Sequence, residues 1–248
     1  MREYTQHIHS FITMRRNVKV AEAMSHASKG TQKFIGIRTT EMKNVFNTIF
    51  STYPLPEYDE MKNIIREFFA MEEREFLYFG VELFLKRRKL WQKTDIVFIE
   101  SLILTQPGWD TTEYISTEII PYFYEKFPNV TSEFLNSWNE SNKQWLKATA
   151  IIFQRPMKGN TDKKMLEKFI KDNLGTDNDI INRAIGYALR VYSKSNYKWV
   201  LDFVVQNSEK MDKKTKQEAI KWMDKKNLIR KSCGTTKNSS KKSKQEKQ

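Results

Sequence analysis

Residues 94–127 read TDIVFIESLILTQPGWDTTEYISTEIIPYFYEKF. Thr94-Asp95 precedes Ile96, Val97, Ile99 and Leu102, a helix start with a capping side chain followed by apolar residues at helical spacing. Pro107-Gly108 breaks the chain. Trp109 then opens a second segment, reaching about Phe127, with Tyr114, Ile115, Ile119, Tyr122 and Phe123 on its apolar side. Pro121 lies inside that segment and is expected to kink or split it, because proline lacks an N–H and crowds the preceding turn. The unit is helix, short break, helix.

The same pattern extends in both directions. Upstream, Phe68, Phe76, Phe79, Phe84 and Leu85 mark an apolar side, with Glu72, Glu73, Arg74, Lys86, Arg87 and Arg88 opposite. Acid comes first there and base last, which suits the helix dipole. Downstream, Thr131-Ser132 is expected to cap a short helix ending near Trp138, and Asn142 to begin another through Trp145, Leu146, Ala150, Ile151 and Phe153. Thr161-Asp162 caps the helix of Leu166, Phe169 and Ile170, which Leu174-Gly175 ends. Helices are then expected over Ile180–Tyr192, Trp199–Val205 and Lys213–Met223. Glycine (8) and proline (6) are too scarce for the many tight turns of a sheet protein of 248 residues. The fold class is therefore all-α, with roughly a dozen helices joined by short connections. From Glu73 onward the helices fall into pairs with a period near ~40 residues, the range of HEAT-like repeats. Such pairs stack into an α-solenoid whose concave face suits an extended ligand. An irregular helical globule is the alternative.

The formal charge is +13. Residues 225–248 hold nine Lys or Arg against one Glu, and this polar stretch reads as a basic, disordered tail. Residues 1–224 read as the folded domain and remain basic without it. A basic body points to a polyanionic partner, since Lys and Arg neutralise phosphates and release counterions; plain solubility is the other explanation. The single cysteine, Cys233, makes no intramolecular disulfide, which suits a reducing compartment such as a bacterial cytoplasm. No zinc-ligand spacing is present, and neither metal nor cofactor is expected. No run approaches the ~20 apolar residues of a membrane span. Charged residues from position 2 onward, with no apolar core, predict no signal peptide.

Several strings together resemble one family: Phe34-Ile-Gly-Ile-Arg-Thr39, Met71-Glu-Glu-Arg-Glu-Phe76, Gly108-Trp-Asp-Thr111, Trp145-Leu-Lys-Ala-Thr-Ala150 and Ala184-Ile-Gly-Tyr-Ala-Leu-Arg190, continuing as Tyr192-Ser-Lys-Ser-Asn196. In this order and spacing they resemble the AlkD-type DNA alkylation-repair glycosylases over roughly residues 3 to 224. The resemblance implies a HEAT-like fold with a concave basic face that binds alkylated double-stranded DNA as a monomer. It implies excision of N3-methyladenine and N7-methylguanine without metal, cofactor or base flipping, in contrast to most glycosylases.

The resemblance also implies site residues. Trp109 matches the first tryptophan of the family site. Four residues on, Glu113 stands where the family usually has Asp, and the i, i+4 spacing places both on one helix face. Tyr187 occupies the second tryptophan position. The family arginine falls at Ala148; Lys147 beside it, turned about 100° around the helix and so no simple substitute, is expected among the DNA contacts. Arg38 and Thr39, in the Gly36 turn before a helix, lie where helix N-termini bind phosphate, with Lys43 one turn on. Arg155, Arg190 and Lys194 sit near the ends of later helices as further DNA contacts. From the residues alone, Trp109 and Tyr187 read equally as core aromatics, Glu113 as an exposed helix carboxylate, and each basic residue as solvated. Asp110 reads as a helix-dipole or capping partner rather than a catalyst. Two further readings stay open: a paralogue that binds damaged or branched DNA without excision, and a helical protein–protein scaffold.

Overall fold

The computed structural model describes residues 1–228; the tail beyond, with Cys233, lies outside the described residues. The described chain is all-helical apart from a single bridge between Lys33 and Glu73. It forms two compact units, Met1–Leu135 and the chain from Asn136 onward.

The first unit holds α1 (Glu3–Thr13), α2 (Val18–Ala27), α3 (Thr39–Thr52), α4 (Tyr58–Phe69), α5 (Arg74–Lys86), α6 (Asp95–Leu104), α7 (Trp109–Tyr114) and α8 (Ile120–Lys126). Helix α9 (Pro128–Glu140) carries the boundary. The second unit continues with α10 (Gln144–Ile152), α11 (Lys163–Lys171), α12 (Asp179–Tyr192), α13 (Tyr197–Gln206) and α14 (Lys213–Lys225). Helices pack on neighbours and on helices two places along the chain: α4 meets α5 and α6, α5 meets α7, and α10, α12 and α14 pack in series. This is the stacking of a helical repeat, in which each pair buries an apolar face that it cannot bury alone.

The repeat is shorter than the sequence spacing suggested. Helices α10, α12 and α14 begin at Gln144, Asp179 and Lys213, 35 and 34 residues apart. Polar side chains follow this pitch. Asn178 Nδ2 donates to Gln144 Oε1 at 2.8 Å, and Thr215 Oγ1 donates to the Asn182 carbonyl at 3.1 Å. Each bond therefore ties one repeat to the next.

The first unit's core is aromatic, with Phe46, Phe68, Phe69, Phe76, Phe79, Phe84 and Phe123 all buried. Phe79 meets Phe46 edge-on and Phe50 face-on at 5.4 and 5.3 Å between centroids, both within the favourable range.

Several helix starts differ from expectation. Thr94 makes no capping bond. Asp95 is buried instead, accepting from Gln92 N at 2.7 Å and from the Tyr58 hydroxyl, with the Lys62 ammonium alongside. Pro128, not Thr131, opens α9, because proline at the first helical position loses no bond. Thr131 is buried, its hydroxyl donating to the Phe127 carbonyl at 2.8 Å. Helix α10 starts at Gln144 with no side-chain cap from Lys143. By contrast, Asp162 caps α11 through Met165 N at 3.0 Å, and Gly175 follows that helix at φ 78°. The disruption expected of Pro121 is a π-turn over Ile115–Ile119, between α7 and α8. Hydroxyls of Ser116 and Thr117 donate to the Thr112 and Glu113 carbonyls at 2.5 and 2.9 Å, adding side-chain bonds across the widened turn.

Candidate active site

Helix α7 carries the candidate chemistry. Trp109 and Glu113 are half-buried, and the Trp109 indole N–H donates to Glu113 Oε2 at 2.8 Å. The two residues that the resemblance singles out are thus joined directly, on one helix face as the i, i+4 spacing required.

The first turn of α7 is held from beneath by Arg74, a residue the sequence pattern placed on the polar side of α5. It is 3% exposed. Its Nε and Nη2 donate to the two oxygens of Asp110, each at 2.9 Å; Nη1 reaches the Gln106 carbonyl at 2.7 Å, and Nη2 also reaches Thr111 Oγ1 at 2.6 Å. Asp110 further accepts from Gln32 Nε2 at 3.1 Å and from the Tyr78 hydroxyl. Burial alone would raise the Asp110 carboxyl; the hydrogen bonds and charge of Arg74, with Tyr78 and Gln32, outweigh it and hold that carboxyl below its usual range. Burial, with the Asp110 charge, pushes the Tyr78 phenol up. Asp110 is therefore a structural anion with both oxygens engaged, and no N-cap. Glu113, the other carboxylate of α7, accepts from the Trp109 indole instead.

Gly108 lets this network close tightly over the chain. A Cβ there would lie 2.3 Å from Gln32 Nε2, 2.6 Å from Asp110 Oδ1 and 2.8 Å from Arg74 Nη2.

The Gly36 turn has a different builder from the one expected. Glu75 is fully buried, and its carboxylate accepts from the backbone N–H groups of Ile35, Gly36 and Ile37 at 2.9, 2.9 and 3.2 Å. Gly36 has φ 99°, and a Cβ there would lie 2.2 Å from the Asn17 carbonyl oxygen. These turn amides thus serve Glu75. Arg38, Thr39 and Lys43 are exposed at the start of α3, with Arg38 3.8 Å from Glu41.

In the second unit, Tyr187 on α12 is half-buried beneath two guanidinium groups. Those of Arg155 and Arg190 lie 3.8 and 4.4 Å from its ring centroid, and Arg155 Nη2 donates to its hydroxyl at 2.7 Å. Arg190 also pairs with Glu218 at 2.5 Å. Tyr187 and Arg190 line an open groove of about 490 Å³ with Arg183, Lys214, Thr215 and Glu218. Lys194 is exposed just past the end of α12. Lys147 is turned inward: its ammonium donates to the Asn139 carbonyl at 2.8 Å and to Asn173 Oδ1 at 2.9 Å. Both asparagines are buried, so Lys147 ties α10 to its neighbours in this unit. Ala148 is fully buried, which makes position 148 part of the core.

The arrangement thus gathers Trp109 with Glu113, Arg38 with Thr39 and Lys43, and Tyr187 with Arg155 and Arg190. Arg74, Glu75 and Gly108 were missed as supports. No local signal marked Arg74 and Glu75, whose partners lie on distant segments.

The chain was compared with known proteins. No curated protein matches it at a significant level. Among solved structures it resembles a predicted DNA alkylation repair enzyme from Enterococcus faecalis, with a TM-score of 0.75 and 20% identity over 84% of this chain and 96% of that one. It also resembles AlkD2 from Streptococcus mutans, with a TM-score of 0.56 and 14% identity over 75% of this chain and 90% of that one. For smu.31 from Streptococcus mutans UA159 the TM-score is 0.55 and the identity 15%, over 73% and 90%. At these identities the likeness establishes the helical fold. The family model for DNA alkylation repair enzymes matches residues 12–223, nearly all of the described chain, and on that match this protein belongs to the DNA alkylation repair enzyme family.

Proposed function

We infer that the protein is a monofunctional DNA glycosylase that hydrolyses the N-glycosidic bond of cationic alkylpurines, N3-methyladenine and N7-methylguanine, in duplex DNA without flipping the base. The observation that carries this reading is the Trp109–Glu113 pair, half-buried on a helix fixed by a buried ion pair.

An alkylated purine already bears positive charge. When the bond from C1′ to the base nitrogen breaks, its electron pair leaves with the base, which departs neutral, so no acid need protonate it. The positive charge moves to the sugar, as in glycoside hydrolysis. Glu113 supplies a fixed negative charge for the oxocarbenium-like sugar, and the Trp109 ring adds cation–π attraction of about 1–2 kcal/mol when water is excluded. Water then adds its oxygen to C1′ and gives up a proton, leaving an abasic site. Arg38, Lys43 and Lys194, with the Thr39 end of α3, hold the phosphate backbone. No lysine is assigned as a Schiff-base nucleophile, so no strand cleavage is part of the reaction.

A second reading is favoured by the second unit. The Tyr187 ring already carries two guanidinium groups, and position 148 holds a buried alanine where the family has arginine. These features suit a paralogue that binds damaged DNA without excising a base. Release of free base from a duplex containing N7-methylguanine separates the two. The glycosylase releases it stoichiometrically; the binding paralogue retains salt-sensitive affinity and releases none.

A further inference from the structure

We propose that Arg74 and Asp110 are positioning residues for the α7 site, setting the orientation of the Trp109 indole and, through it, of the Glu113 carboxylate. This rests on the reading of Trp109 and Glu113 as the reacting pair. Asp110 follows Trp109 directly and stands three residues before Glu113, on the single short helix that carries all three. Helix α7 runs on through the π-turn into α8, so its C-terminal end is braced by that continuation and its N-terminal end has no such brace. That end is fixed from outside. The Arg74 guanidinium spans the loop before α7 (Gln106 carbonyl), the second residue of the helix (both Asp110 oxygens) and the third (Thr111 hydroxyl). Tyr78, one turn along α5 from Arg74, and Gln32 from a further segment complete the grip on Asp110, and Gly108 lets these side chains close over the loop, since a Cβ there would meet Gln32, Asp110 and Arg74. Rotation of α7 about its axis would break several charge-assisted bonds at once. The indole N–H that holds Glu113 Oε2 belongs to the residue adjacent to this clamp. Small displacements at a reacting group cost about 10²-fold in rate per ångström, so a clamp on α7 controls the chemical step rather than affinity for DNA.

The test uses the full chain with Arg74→Lys, which keeps the charge but loses the fork, and Asp110→Asn. A control, Asp95→Asn, lies in the same unit and is more deeply buried than Asp110, but is bonded to Tyr58, Lys62 and Gln92 away from α7. Two measurements are made below each variant's unfolding transition. One is single-turnover excision of N7-methylguanine at saturating protein, alongside Kd for the same duplex. The other is solvent exchange of the Trp109 indole N–H, assigned by its loss in Trp109→Phe. The proposal expects excision to fall by about 10-fold or more with Kd within about 3-fold, and indole exchange to speed up in both α7-clamp variants but not in Asp95→Asn. Unchanged indole exchange in Arg74→Lys and Asp110→Asn overturns the proposal whether or not the wild type excises bases. An equal loss of excision in Asp95→Asn overturns it too, since that reports stability alone. Failure of the wild type to excise, with the exchange response intact, defeats the glycosylase reading while the clamp on Trp109 stands.

Discussion

The indole N–H of Trp109 donates to Glu113 Oε2 at 2.8 Å, across one turn of α7. The bond fixes one carboxylate oxygen and leaves the anion's charge beside an aromatic ring. It also gives the longer side chain at 113 a physical role, because the extra methylene is what bridges the helical turn to Trp109. Glu113→Asp therefore shortens the arm and breaks the bond. Single-turnover excision should fall by about 10-fold or more while duplex affinity stays within about 3-fold. An aspartate variant that matches or exceeds the wild type would mean that the Trp109 bond serves no part in the reaction.

Asp110 and Arg74 make acid stability measurable. The Asp110 carboxyl is held below its ordinary value, so the fold gains stability from it above the unfolded-state pKa near ~3.9 and loses that contribution as pH falls through the lower folded value. At pH 7, Asp110→Ala should cost about 3–5 kcal/mol, since it leaves the Arg74 charge buried without its partner. Urea midpoints of wild type and Asp110→Ala, measured from pH 7 downward, should converge below about pH 4. A gap that stays constant through that range would show that the ion pair is not the source of the stability.

Gly108→Ala should behave as a clamp mutation without changing any charge. Its methyl would displace Gln32, Asp110 or Arg74 side-chain atoms at 2.3–2.8 Å. Overpacking of this kind costs about 1–3 kcal/mol, and thermal unfolding should register it. A variant as stable as wild type would mean that these polar side chains yield freely.

The basic residues divide into two groups. Arg38, Lys43 and Lys194 are exposed, whereas Lys147 is bound to Asn139 and Asn173. Alanine at each of the first three should reduce the slope of log affinity against log salt by about 1. Lys147→Met should leave that slope unchanged and lower the unfolding midpoint instead. Loss of slope at Lys147 with no loss of stability would return that lysine to the DNA contacts.

The helices were legible because apolar spacing and short breaks report directly on local structure. Asp162 before α11 and Gly175 after it are local signals and were read correctly. What escaped were polar groups whose partners lie about one repeat away. Arg74 and Asp110 are 36 residues apart, and Glu75 reaches the Gly36 amide 39 residues upstream. Spacing within one helix could place Arg74 only on a polar face, since burial of a charge is decided by the partner that comes to meet it. The inward bonds of Lys147 escaped for the same reason: its carbonyl and amide acceptors, Asn139 and Asn173, belong to other segments. The contact between Trp109 and Glu113 was legible because the i, i+4 relation is local.

The most direct test of the account compares wild type and Glu113→Gln in single-turnover release of N7-methylguanine from duplex DNA, with Kd measured on the same duplex. Glutamine keeps the length and an acceptor oxygen for Trp109 but removes the charge. The account predicts release by the wild type, a loss of about 10²-fold or more in the variant, and Kd within about 3-fold. Equal release by both proteins would contradict the electrostatic role of Glu113, and no release by the wild type, with binding intact, would contradict the glycosylase itself.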